Sequence, residues 1–267
     1  MPIRRLDQAL AARGFGSRKE VHALARAGLV LVNGAPAHSA SQKIDLERDR
    51  VAVRGAEVRL QEYLYIMLHK PQGVISAARD PAAPTVMDLL PAHLRCRCLF
   101  PVGRLDKDTT GLLLLTDDGA LAHALLSPRR HVPKTYLATL RAPATEDDAA
   151  AFAAGMRLPA AEGHPPEDCL PAELIPLEGC LARVVLREGK YHQIKRMFAA
   201  RGNAVLALHR ETMGPLRLDE ALAPGECREL TAEEAAGLRV SDFVEFSAIC
   251  IASAEKAWYN DDASQED

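Results

Sequence analysis

The stretch Gly103-Arg104-Leu105-Asp106-Lys107-Asp108-Thr109-Thr110-Gly111-Leu112-Leu113-Leu114-Leu115-Thr116 limits what this chain can be more than any other. A polar loop with one arginine, two aspartates and two threonines runs straight into four leucines. A short continuous apolar run bounded by polar turn signals reads as a buried strand. Asp117-Asp118-Gly119 then turns the chain, and residues 120–126 read as a short helix. Loops carry reactive groups and strands hold them still, so a carboxylate at the mouth of this strand is a candidate for chemistry. A turn with an Asx cap fits the same pattern equally well.

Composition places that strand in a globular protein. Of 267 residues, 48% are apolar and 26% charged, which fits one large domain or two smaller ones of roughly 100–200 residues. No apolar run approaches the ~18 residues of a membrane span, and MPIRRLDQALAARG lacks a signal peptide's apolar block, so a cytoplasmic protein is expected. The net charge of −3 hides a gradient: residues 1–60 hold 11 Lys/Arg against 6 Asp/Glu, and residues 241–267 hold 1 against 7. A basic front is the electrostatic footprint of a polyanion partner; a solvated helix face accounts for it equally well. The acidic tail, 241–267, reads as disordered, although its FVEFSAICIA stretch and Trp258 are able to dock. Cys96, Cys98, Cys169, Cys180, Cys227 and Cys250 form no C-x-x-C pair and no zinc-spaced cluster, so buried or idle thiols and no bound metal are expected.

The first sixty residues read as helix, helix, then a few strands. Leu6 and Leu10 mark a short helix that ends at Gly14. Ser17-Arg18-Lys19-Glu20 is a capping box opening a second helix through Val21, Leu24 and Ala25, which stops at Gly28. Leu29 to Val32 meets Asn33-Gly34, a hairpin signal. Arg4, Arg5, Arg13, Arg18, Lys19 and Arg26 fall on or beside the helices, where their side chains can pair with phosphates. Arg5-Leu6-Asp7, Ser17-Arg18 and Val30-Leu31-Val32-Asn33-Gly34, in that order, resemble the small RNA-binding module first described in ribosomal protein S-four (the alpha-L motif). The resemblance implies binding of structured RNA through Arg4, Arg5, Arg13, Ser17, Arg18, Lys19 and Arg26, and it implies no chemistry.

Residues 55–65 read as a linker into a second domain, 61–240, that opens with a buried strand, Tyr65 to Leu68, and a Pro/Gly turn, His69-Lys70-Pro71-Gln72-Gly73. Here GRLDKDTTGLLLLT resembles the second motif of the pseudouridine synthases, in their ribosomal small-subunit (RsuA-type) branch. Pro133-Lys134-Thr135-Tyr136 is similar to that family's K-T-Y, and Gly189 to Phe198, GKYHQIKRMF, to its last motif. His69-Lys70-Pro71-x-Gly73, Pro84-Thr85-Val86-x-x-Leu89, Leu208-His209-Arg210-Glu211 and Leu222 to Glu226 extend the likeness over residues 3–238.

The resemblance implies a cofactor-free isomerisation. The bond between ribose and uracil nitrogen 1 breaks, the base turns over, and carbon 5 is joined to the same ribose carbon. Asp106 is then the catalytic aspartate, as nucleophile or as proton abstractor, and Asp108 is not the expected nucleophile. An aspartate's free pKa is about 3.9; burial raises it and an adjacent cation lowers it. Lys195 is the implied cation, with Arg196 as the alternative. The uridine must be everted from its stack, at a cost of a few kcal/mol. Arg104 is implied to fill the gap, or else to clamp a phosphate. Tyr136 is implied to stack on the uracil, unless it is plain core packing, and Ile194 to pack beside it. His192 is expected to contact RNA or to be structural. Ser17 and Ser76 have no His/Asp arrangement beside them, so a serine hydrolase is not supported.

Strand-like and helical runs do not alternate regularly, so an α+β fold with a mixed, largely antiparallel and bent central sheet is expected. Val184 to Leu186 leads to a helix over 192–201, and Thr231-Ala232-Glu233-Glu234 caps a last one. The last-motif residues favour 16S rRNA or an assembling small ribosomal subunit as partner, with the protein a monomer. Pro101-Val102 is commoner in the branch that acts on 23S rRNA, which keeps that target open. A non-catalytic RNA-binding assembly factor is the remaining alternative.

Overall fold

The computed structural model describes residues 3–239 apart from 59, 61, 96, 97 and 162; the acidic tail, with Trp258, lies outside the described residues. The N-terminal unit runs β1 (Ile3–Arg5), α1 (Leu6–Ala12), α2 (Arg18–Arg26), β2 (Val30–Val32), β3 (Ala35–Pro36), β4 (Lys43–Asp45), β5 (Val51–Val53) and β6 (Ala56–Val58). Its core joins Leu6 and Leu10 of α1 to Val21, Val30, Ile44, Val51 and Val53. Ser17 caps α2 reciprocally with Glu20, whose carboxylate accepts from the Ser17 amide at 2.6 Å. Asn33 and Gly34 both take positive φ, 54° and 83°, as a tight hairpin turn requires.

The expected linker is shorter than read from sequence. Ala56–Val58 is a strand that pairs with Val51–Val53. The turn between them places Arg54 and Gly55 at φ 53° and 82°; an arginine in the left-handed region gives none of the usual Asn-Gly or Asp-Gly signal.

The second unit continues as β7 (Tyr65–Lys70), α3 (Ala92–Arg95), β8 (Phe100–Pro101), β9 (Thr109–Thr116), α4 (Gly119–Leu126), β10 (Lys134–Leu140), α5 (Glu146–Ala154), β11 (Arg157–Leu158), β12 (Glu167–Asp168), β13 (Glu173–Pro176), β14 (Leu181–Leu186), α6 (Gln193–Ala200), β15 (Val205–Met213), β16 (Leu216–Arg217), β17 (Cys227–Glu229) and α7 (Ala232–Gly237). Nine of these strands form one sheet in the order β13-β14-β10-β15-β9-β7-β17, with β8 on β9 and β16 on β15. Every pairing in it is antiparallel except β9 with β15. The fold is α+β with a mixed, largely antiparallel sheet. Two register shifts between β10 and β15, at Thr135/Tyr136 and Thr139/Leu140, mark irregularities of the kind that bend strands.

The four leucines of β9 serve two cores, because successive strand residues face opposite ways. Leu113 and Leu115 join Ile66, Leu68, Phe152 and Phe198 on one face, and Leu112 and Leu114 join Met67, Val102, Leu121 and Met213 on the other. Each such buried leucine contributes about 1.5–3 kcal/mol. Where β9 runs parallel to β15, Gly111 lies opposite Arg210 at φ 105°. A Cβ there would meet the Arg210 backbone carbonyl and amide, so the close strand approach requires glycine.

The two units touch through charge. Arg13 of α1 donates to both carboxylate oxygens of Glu229 on β17, at 2.8 and 3.2 Å, and Arg4 pairs with Glu62 at 3.4 Å. No helix among the described residues is long and apolar enough to cross a membrane. Of the described cysteines, only Cys169 is buried; Cys98 is exposed.

Candidate active site

The loop before β9 is held from beneath by the end of β7 and the turn after it. Lys70 is part of β7, not of the turn expected from its Pro/Gly neighbours, and is fully buried. Its Nζ donates to the carbonyls of Thr109 at 2.8 Å, Pro71 at 3.1 Å and Lys107 at 3.5 Å. Ser76 Oγ donates to the Leu105 carbonyl at 2.9 Å and accepts from the Leu105 amide at 3.0 Å. The Gly73 amide donates to the Lys107 carbonyl at 2.8 Å. With Leu105 buried as an anchor, the flanking Asp106 is left about a third exposed, pointing out of a fixed backbone.

Lys195, on the first turn of α6, reaches this carboxylate. Its Nζ is 2.9 Å from Asp106 Oδ2 and 2.6 Å from Asp108 Oδ1. His192 Nε2 lies 3.6 Å from Asp106 Oδ1. Arg196 turns the other way, to Glu167 at 2.6 Å and the Pro159 carbonyl at 2.7 Å, so Lys195 rather than Arg196 faces the aspartate. Burial pulls the Lys195 ammonium down, but the Asp108 and Asp106 carboxylates outweigh it and hold its pKa above the usual lysine value. Partial burial pushes Asp108 up, yet the Lys195 hydrogen bond leaves it below the ordinary carboxylate range. Burial brings Lys70 down to about 8, against the pull of Asp108 and Asp106.

The remaining expected residues converge unequally. Tyr136 on β10 is buried, 8% exposed, and shares an apolar cluster with Leu105 and Ile194. Arg104 is exposed beside the loop. Lys70, Ser76 and Asp108 are missing from the sequence-based site: the first two bond to backbone carbonyls and amides, whose identity no pattern of residue types announces, and the motif marks Asp108 only as not the nucleophile. His192 stands closer to the carboxylate than expected, because φ 46° at this residue ahead of α6 turns it inward.

Residues 64–200 match the RNA pseudouridylate synthase family, and residues 4–51 match the S4 domain. The chain belongs to the RNA pseudouridylate synthase family. An uncharacterized RNA pseudouridine synthase (YtzG) of Bacillus subtilis (strain 168) is 46% identical over 233 residues, covering 86% of this chain and 96% of that one. Ribosomal small subunit pseudouridine synthase A of Escherichia coli (strain K12) is 43% identical over 236 residues, covering 88% and 99%. A crystal structure of a pseudouridylate synthase is 40% identical, covers 88% of this chain and 99% of its own, and superposes with a TM-score of 0.61.

The synthase's S4 unit gathers its charges around one buried group. Asp7, with its side chain 1% exposed, accepts from Arg5 at 2.9 and 3.0 Å and from Arg18 at 3.0 and 3.1 Å, and lies 3.3 Å from His22. Lys19 and Arg26 are exposed on α2. Ser17 is taken up by the helix cap and Arg13 by Glu229, so these two are set apart from the Arg5–Arg18 cluster. The Arg5 hydrogen bonds hold the Asp7 carboxyl far below the usual range, against its burial and with help from Arg18 and His22. A carboxylate depressed in the fold stabilises it above the unfolded pKa of about 3.9, and that contribution is lost as pH falls toward the folded value. Asp7→Asn in the synthase is therefore expected to lower stability by about 1–3 kcal/mol at pH 7. Thermal melts should show the difference from the parent protein narrowing below pH ~4; a difference that does not change with pH would show that the charge is not what Asp7 contributes.

Proposed function

We propose that the synthase converts one uridine of 16S rRNA to pseudouridine in the cytosol, with Asp106 acting at the ribose of an everted nucleotide. The observation that carries this reading is the Lys195–Asp106 contact at 2.9 Å, beside a buried tyrosine and isoleucine. Lys195, 2.9 Å away, holds the carboxylate in place. Tyr136 offers a flat face for the uracil, where stacking contributes about 1–3 kcal/mol per base, and Ile194 closes the pocket beside it. Held there, the detached base stays next to the sugar, and water, which would hydrolyse the intermediate, is kept away. Arg104, exposed at the loop, takes the place the uridine leaves in the RNA stack. Arg4, Arg5, Arg18, Lys19 and Arg26 contact phosphates of the surrounding RNA.

The 16S assignment is supported by the names of relatives such as the Escherichia coli synthase A. Mapping pseudouridine in both rRNAs, from cells with and without the gene, tests it. One 16S position is expected to lose its modification. Loss at a 23S position would move the target while keeping the chemistry, and loss at neither would leave an RNA-binding factor with an idle site.

A further inference from the structure

Three aromatic rings stand in register beside Asp106. His164 stacks on Tyr191 with centroids 4.2 Å apart and planes 12° from parallel, and Tyr191 stacks on His192 at 3.9 Å and 17°. Two rings this close to the Tyr191 centre, and this nearly parallel to it, would overlap each other on a single face. Tyr191 is therefore sandwiched, and only the two histidines present outer faces. The inner one, His192, is the residue 3.6 Å from the Asp106 carboxylate. The outer one, His164, is exposed.

The outer ring is carried on a braced support. His164 sits in the hairpin between β11 and β12, where its amide donates to the Ala161 carbonyl at 2.7 Å and its carbonyl accepts from the Ala161 amide at 3.0 Å. At the base of the hairpin, Glu167 accepts from Arg196 at 2.6 Å and Lys190 at 3.3 Å. Arg196, nearly buried, also donates to the carbonyls of Pro159 and Tyr191 at 2.7 and 3.1 Å. Hairpin, ring turn and α6 are thereby tied together, and the ladder is fixed relative to Lys195 and Asp106.

We propose that this ladder is a stacking platform for a nucleobase adjacent to the target uridine, with the base seated on the outer face of His164; the proposal rests on the reading of Asp106 given above. Everting a nucleotide unstacks its neighbours. A rigid row of rings at base-stacking separation, ending in solvent on one side and at the reactive carboxylate on the other, gives one such neighbour a new stack. Every base has a π-face, so the contact needs no particular hydrogen-bond pattern. The outermost ring lies two stacking steps from the ring beside Asp106, a position suited to the next nucleotide along the strand. An aliphatic contact would dock the hairpin equally well; an exposed histidine at the end of a stack serves a visitor.

The test uses the full chain and an rRNA fragment spanning the mapped uridine, with affinity and turnover measured separately. His164→Ala is expected to raise Kd and KM roughly 5- to 100-fold with little change in kcat, and His164→Phe to restore both. Making the adjacent nucleotide abasic should weaken binding to the parent protein by a similar factor and add nothing in His164→Ala. Unchanged Kd in His164→Ala would overturn the proposal. So would a loss of kcat alone that Phe does not rescue, or an equal abasic penalty in both proteins. A parent protein that binds the fragment without converting it would sink the proposed function instead, and the affinity comparison would still decide the platform.

Discussion

Asp106→Asn is expected to lower pseudouridine formation by roughly 10²–10⁴-fold while leaving RNA affinity and the melting temperature close to those of the parent protein. The expectation of a folded variant is specific to this site. Asparagine keeps the shape of the side chain, and Lys195 keeps a carboxylate partner in Asp108, 2.6 Å away. Removing one partner of an ion pair is damaging when the other charge is left alone; here it is not. The measurement is release of tritium from carbon 5 of labelled uracil, the position that exchanges hydrogen for the ribose bond. Residual activity within about tenfold of the parent would remove Asp106 from the chemistry, and a collapse in stability would show that the aspartate is structural.

Gly111→Ala carries the largest expected effect on the fold. Its added methyl runs into the Arg210 backbone, which belongs to the neighbouring strand and cannot swing aside as a side chain would. It must also hold φ near 105°, a conformation costing an alanine about 1–3 kcal/mol, with overpacking adding about 1–3 kcal/mol. Against a total stability of about 5–15 kcal/mol, the variant should melt about 10 °C lower or fail to accumulate. Gly73→Ala is the control. It has φ 88° but nothing within 4 Å of the new methyl, so strain alone acts there. Equal losses at the two positions would mean that the β9–β15 approach is not as tight as described.

The elements that were legible in the sequence are those whose signals are local. The Ser17 and Thr231 capping boxes, the Asn33-Gly34 turn and the β9 leucine run all specify their own conformation within a few residues, and the structure has each. The family motifs likewise named the residues that meet across 89 positions of chain, Asp106 and Lys195. Illegible were interactions made through backbone atoms, such as those of Lys70 and Ser76, and those set by unusual backbone angles, such as the φ 53° of Arg54 and the φ 46° of His192. A side chain that bonds to a carbonyl sees no residue identity on the other side, so no pattern of types can announce it. The Tyr191 ring stack depends on a hairpin that returns to α6 through Glu167, a long-range closure with no local mark.

The Lys70 anchor has a further consequence. An ammonium has three hydrogens, and three carbonyls converge on this one. As pH climbs through about 8 the nitrogen sheds a proton, and an amine with two hydrogens must leave one carbonyl without a donor. The same titration acts on folding with the opposite sign, because the unfolded chain holds this proton up to about 10.4 and the buried charge is relieved first in the native state. In mild alkali the scaffold around the loop thus gains from neutralisation while the loop itself is held less firmly.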